Sequence, residues 1–167
     1  SSGERHYDFI KPKIIVEKLL DNNGDLPWDY AVWSYNGQNG FNYAITINSP
    51  DLNFAAHFDR HWKVWECNFT EEQMKKYARP ENSDEMIEVA RLLSAGIDFV
   101  RVDLYNIDGV IYFGELTFTP KSGLGWIENK LREKMRGEMW ELAADDRRLY
   151  QKRGRSLSPR RSPWQRR

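Results

Sequence analysis

Hydrophobic residues follow two periods along this chain, and the alternation between them predicts strands broken by two helices. The β-branched run of residues 14–20 (IIVEKLL) ends in the polar stretch 21–25 (DNNGD), which predicts a strand running into a loop. Residues 29–35 and 41–47 alternate aromatic or aliphatic with polar positions and flank Asn36-Gly37, a strong turn pair, so they predict a β-hairpin. The aromatic stretch that follows is mixed, with one further strand expected between residues 51 and 66. Asn82 with Glu85 three positions on predicts a capping box. Met86, Ile87, Val89, Ala90, Leu92 and Leu93 then recur at helical spacing as far as Gly96. Residues 99–105 and 110–118 predict two more strands around Asn106-Ile107-Asp108-Gly109. After the small-residue loop 121–125, a charged amphipathic helix is expected from about residue 127 to about 150. The expected class is α+β, an antiparallel sheet flanked by helices.

The second hairpin carries the candidate chemistry, and its pairing register decides whether the acids meet. A two-residue turn at Asp108-Gly109 pairs Asp103 with Gly114 and sends Glu115 to the opposite face from Asp103. A longer turn, with Gly109 left-handed as a bulge, sets Asp103 across from Phe113 and diagonal to Glu115. Arg101, Asp103, Glu115 and Thr117 then share one face, and Val100, Val102, Leu104, Tyr112, Leu116 and Phe118 the other. That sorting favours the longer turn, because register is set by the separation of apolar from polar side chains. Two facing carboxylates suit magnesium, which takes one or two of them together with waters and phosphate oxygens. The plainer alternative is a half-exposed sheet on which Arg101 neutralises the two acids. Next along the chain, the loop with Lys121, Ser122 and Gly123 has the small-residue composition that can present backbone N–H groups to an anion.

Composition changes this picture little, but charge does. The chain has 167 residues, enough for one domain and a tail. Its seven Trp, eight Tyr and eight Phe supply a core. A single cysteine excludes an internal disulfide and a Cys-based zinc site. No apolar run reaches membrane-spanning length and no signal-peptide pattern opens the chain, so a cytoplasmic protein is expected. The zero net charge hides an asymmetry: from Arg147 onward there are nine Lys or Arg and no acids, leaving 16 basic against 25 acidic residues in the body. We expect a domain over residues 1–146 and a disordered basic tail over 147–167.

The segment FVRVDLYNIDGVIYFGELTFTP (residues 99–120) closely resembles bacterial ATP-grasp proteins of the teichuronopeptide-biosynthesis (TupA-like) type. KPKIIVEKLL (11–20) is similar to that family's hinge strand and GEMWEL (137–142) to the end of its domain, so the resemblance spans roughly residues 4–142. It implies the C-terminal subdomain of an ATP-grasp fold with the N-terminal part of the grasp missing, and ATP and magnesium as cofactors. By position, Glu17 and Leu20 would face the adenine, with Lys18 beside them in the linker between subdomains; Asp103, Glu115 and Thr117 would hold the metal; Arg101 would stabilise transferred phosphate. Lys121 would act near the reacting groups, with Ser122 and Gly123 beside the phosphates. The implied reaction joins a carboxylate to an amine through an acyl-phosphate in polysaccharide or polymer biosynthesis, with a uronic acid or glutamate polymer as acceptor. A separate N-terminal half or a homodimer would complete the clamp.

His57 and His61 have metal-like spacing if helical, but with Trp62 and Trp65 nearby packing or acceptor contact is the favoured expectation. Three functions stay open from sequence: the ligase, a non-catalytic remnant of it, and a nucleic-acid-binding module acting through the tail.

Overall fold

The computed structural model describes residues 9–37, 40–51, 53–67, 70–76, 79–123, 130–140, 151–152 and 155–156. Six strands form one antiparallel sheet: β1 (Asp29–Gly37), β2 (Gly40–Asn48), β3 (Ala55–Phe58), β4 (Val64–Cys67), β5 (Phe99–Ile107) and β6 (Val110–Thr117). Their order across the sheet is β4-β3-β2-β1-β5-β6, which puts β1 and β5 side by side near the middle. Helices α1 (Glu71–Lys76) and α2 (Ser83–Leu93) lie between β4 and β5, and α3 (Lys130–Met139) follows β6. A two-residue ladder pairs β7 (Gln151–Lys152) with β8 (Arg155–Ser156). Among the described residues no helix is long and apolar enough to cross a membrane.

Period-2 alternation gives the sheet two unlike faces. One carries Tyr30 and Val32 of β1, Ile45 and Ile47 of β2, Ala56 and Phe58 of β3, and Val100, Val102 and Leu104 of β5. It is sealed by Met86 and Ala90 of α2. The other face presents Asp29, Ala31 and Trp33, then Arg101, Asp103 and Tyr105, as the pairings Asp29↔Tyr105, Ala31↔Asp103 and Trp33↔Arg101 require. The apolar face holds the sheet on α2, and the polar face is left for chemistry.

Several expectations are corrected here. Residues 14–20 form no strand: the chain there makes no ladder pairing, leaving Ile14 95% and Val16 90% exposed. β-branched composition favours a strand only where a neighbouring strand supplies hydrogen bonds, and among the described residues none lies alongside. In the first hairpin Asn36 and Gly37 are strand rather than turn, pairing with Phe41 and Gly40, and residues 38–39 lie outside the described residues. Asn36 is held in the strand because its Nδ2 donates to the carbonyls of Ser94 and Ile97, both at 2.8 Å.

The capping box does not form either. Asn82 precedes α2 without a side-chain cap bond. Its Nδ2 donates instead to the Gly109 carbonyl at 2.8 Å, and its Oδ1 accepts from Asn106 Nδ2 at 2.6 Å, pinning α2 to the tip of the β5–β6 hairpin. The expected strand between 51 and 66 is two, β3 and β4, joined by a turn in which Asp59 Oδ1 accepts from the N–H groups of His61 and Lys63 at 2.8 and 2.9 Å. Of the helix expected over 127–150, residues 130–139 are helical, and 127–129 and 141–150 lie outside the described residues. Of the basic tail only β7 and β8 are described.

Candidate functional site

The β5–β6 hairpin reaches the acid pairing by a route other than the longer turn. Ile107 pairs with Val110, so Asp108 and Gly109 are a two-residue turn, both left-handed at φ 52° and 80°. Pairing runs on through Tyr105↔Tyr112 and Leu104↔Phe113, then slips one residue and resumes as Asp103↔Glu115, Val102↔Leu116 and Arg101↔Thr117. Gly114 is the extra residue of this β-bulge. The bulge reverses the face assignment an unbroken ladder would impose, so Glu115 comes directly opposite Asp103 rather than diagonal to it. Tyr112, expected behind Leu104, pairs with Tyr105 on the other side. A side chain at Gly114 has no room, since a Cβ there would lie 2.9 Å from the Asp103 carbonyl oxygen and 3.1 Å from Tyr105 Cε2.

Arg101 closes on both acids. Its Nε donates to Asp103 Oδ1 at 2.7 Å and its Nη2 to Asp103 Oδ2 at 2.5 Å, the two-pronged contact typical of guanidinium with carboxylate. Nη2 also reaches Glu115 Oε1 at 2.9 Å, and the Thr117 hydroxyl donates to the same oxygen at 2.8 Å. Asp103 is 5% exposed, whereas the Glu115 side chain is 64% exposed, so one acid is fixed and the other is free to turn.

Burial pushes the Asp103 carboxyl up to about 6, outweighing the hydrogen bond from Arg101, and the nearby charges of Asp29 and Glu115 act in the same upward direction. Arg101 moves in the sense that pairing dictates. Burial opposes its charge, but the Asp103 hydrogen bond and the charges of Asp103, Glu115 and Asp29 hold it above its ordinary value. Pairing therefore wins on the base and burial wins on the acid. A folded value above the ordinary 3.8 means the folded chain grips the proton more tightly than the unfolded one, so stability falls as pH rises from 3.8 to about 6 and levels off above. Against an Asp103→Asn variant, wild type should lose about 2 kcal/mol between pH 4 and pH 7, checked by urea melts over that range.

Asp29 was not singled out from sequence, yet it belongs to the same face. Its Oδ2 accepts from Asn48 Nδ2 at 2.9 Å, while its Oδ1 is buried without a hydrogen-bond partner among the described residues. Burial, relieved by the Asn48 bond and Arg101, leaves its carboxyl raised. The readable signal was its place at the start of a strand, in phase with Ala31 and Trp33.

These groups floor a cleft of about 560 Å³ whose walls include Glu17, Lys18, Leu20, Pro27, Asp29, Tyr105 and Phe113. The structure therefore brings Glu17, Lys18 and Leu20 to the same cleft as Arg101, Asp103 and Glu115, although residues 14–20 are not a strand. Thr117 reaches it only through its bond to Glu115. Lys121, Ser122 and Gly123 are not among its walls. They occupy a tight turn in which all three are left-handed, at φ 51°, 57° and 69°, a conformation costing L-residues roughly 1–2 kcal/mol each.

The donor set suits a magnesium ion of the two-carboxylate kind: two acids face each other across neighbouring strands and are already bridged by a cation of the chain itself. Among the described residues no three metal-ligating side chains converge, so the rest of such an ion's shell would be water and phosphate oxygens. His57 and His61 offer no metal pair. His57, on β3, meets Thr46 Oγ1 through Nδ1 at 2.9 Å and Arg136 Nη2 at 3.3 Å, while His61 is exposed in the following turn. Arg136 of α3, buried and stacked 3.8 Å from the Trp33 ring, fixes α3 over the far end of this face.

The sequence profile of the TupA-like ATPgrasp family matches residues 1–140, covering residues 11–20, the sheet and α3. The chain belongs to that family. The match makes it an ATP-grasp, ligase-like protein and spans both cleft walls, from Glu17 to Glu115. No characterised protein and no solved structure matches the chain at a significant level.

Proposed function

We propose that this ATP-grasp protein binds magnesium and ATP in the cleft and uses them to join a carboxylate to an amine. The observation that carries the reading is the convergence of Arg101, Asp103 and Glu115 beneath a wall formed by Glu17, Lys18 and Leu20. In this assignment the adenine lies along residues 17–20 and the phosphates lie over the acid pair.

Magnesium, bound with the nucleotide, supplies charge neutralisation of the polyphosphate. Asp103 and Glu115 would hold it, with Thr117 orienting Glu115 through the 2.8 Å hydroxyl bond. Arg101 offers its fork to the transferred phosphoryl group. The acceptor carboxylate oxygen attacks the terminal phosphorus, giving an acyl-phosphate and releasing ADP. The amine nitrogen then attacks the acyl carbon, loses its proton, and expels phosphate. Positioning and electrostatics account for the rate, and no side-chain nucleophile is needed. A uronic acid or glutamate polymer, from bacterial cell-surface polymer synthesis, is the acceptor class we assign. Lys121, Ser122 and Gly123 lie outside the cleft walls, and a part for them near the acceptor belongs to this proposal alone.

Calorimetric titration with ATP, with and without magnesium, tests the reading. Binding should require magnesium and should weaken on the order of 100-fold in Asp103→Asn, the loss of one of two ligating carboxylates. Magnesium-independent binding unaffected by that substitution would exclude this cleft. ADP release that depends on both a polymeric uronate or glutamate and an amine would establish the ligation.

A further inference from the structure

Resting on the reading of this face as a nucleotide site, we propose that Arg101 is a placeholder cation: it reserves the acid pair for a metal–polyphosphate complex and keeps free divalent ions out. The site would then take a metal only together with a nucleotide.

The geometry supports this step by step. Both Asp103 oxygens are engaged by one guanidinium, and Glu115 Oε1 by the same guanidinium and the Thr117 hydroxyl. A divalent ion arriving alone would meet a positive charge within hydrogen-bond distance of every one of these oxygens. It would also have to shed water against a pair already satisfied, and magnesium sheds water reluctantly. Breaking such a pair from one side leaves a charge stranded, Arg101 being only 23% exposed.

A polyphosphate removes that obstacle. Its oxygens offer a guanidinium the same planar, two-pronged acceptor that a carboxylate does, so Arg101 can exchange Asp103 for phosphate without losing its hydrogen bonds. As it leaves, the acids are freed for the ion that the phosphates carry in. Glu115 is the exposed member and can turn to meet that ion, whereas Asp103 is buried and serves as the fixed point. The exchange conserves charge, since the two acids are never left without a cation. Arg101 and Asp103 are two apart on β5 and so share a face, which lets the lock form within one strand.

Manganese uptake, read by electron paramagnetic resonance as loss of the free-ion signal, tests the proposal on the full chain. Without nucleotide, wild type should leave manganese free, while Arg101→Gln should bind it on the order of tenfold or more tightly, an unpaired acid pair being a far better cation site. Arg101→Lys, which keeps the charge but loses the fork, should fall between them and serves as the reading if the glutamine variant does not fold. In the Arg101→Gln background, Glu115→Gln should remove the gain, placing the bound ion at this pair. Wild type binding free manganese as tightly as these variants would overturn the lock. A wild type that binds no nucleotide, with or without metal, would instead overturn the reading of the cleft and leave the free-ion comparison standing.

Discussion

Replacing Gly114 by valine should weaken magnesium-dependent nucleotide binding at least about tenfold while leaving most of the sheet intact. A Cβ at this position would lie 2.9 Å from the Asp103 carbonyl oxygen, so β6 must move away from β5 just where their registers slip. A bulge that cannot form leaves two outcomes, a local separation of the strands or an unbroken ladder. The first pulls Glu115 from Asp103, and the second sends it to the opposite face. Either way Arg101 loses its 2.9 Å contact with Glu115 Oε1 while its two bonds within β5 persist. Circular dichroism should show a folded protein, and calorimetry should show the lost affinity. Undiminished affinity in Gly114→Val would separate the bulge from the site.

The largest effect on stability is expected from Leu104→Ala, at about 3–5 kcal/mol, the usual cost of truncating a fully buried leucine. Leu104 is fully buried on the inner strand β5, in one cluster with Tyr30, Val32, Met86 and Val102, with no surface into which the cavity could open. For a chain of this size that corresponds to a fall of about 10 °C in melting temperature. Thermal denaturation of the two proteins at one pH measures it. A shift within about 2 °C would mean that the sheet repacks around the gap, contrary to the close packing expected of such a core.

How much of this was legible in the sequence can be judged from the same hairpin. Alternation in residues 99–105 identified β5, and chemistry identified Arg101, Asp103 and Glu115 as side chains that ought to share a face. What alternation could not show was where the ladder slips. A bulge is a property of two paired strands, and its trace in one of them is a single glycine inside an otherwise regular strand pattern. Gly114 is that trace. Moving the irregularity to the turn gave the right face for the acids and the wrong side for Tyr112.

Residues 14–20 show the opposite limit. Their composition is that of a strand, but a strand exists only with a partner, and partners are non-local. They still wall the cleft, because Glu17, Lys18 and Leu20 line it without any ladder pairing. Asn82 failed as a cap for a similar reason, since the carbonyl of Gly109 and the amide of Asn106, 27 and 24 residues away, compete for its side chain. Asp29 escaped notice because its neighbours in sequence are aromatic, and only pairing with β5 sets it beside the charged face.

On the function proposed, Asp103 and Glu115 jointly hold a metal–nucleotide complex in the cleft. Crystals grown with ADP and manganese in place of magnesium would test it most directly, through the anomalous scattering of the ion. One strong peak is expected between the two carboxylates, about 2 Å from an oxygen of each, with Arg101 turned from Asp103 onto phosphate. Nucleotide and metal bound elsewhere on the chain, with the Arg101 fork still closed on Asp103, would contradict it.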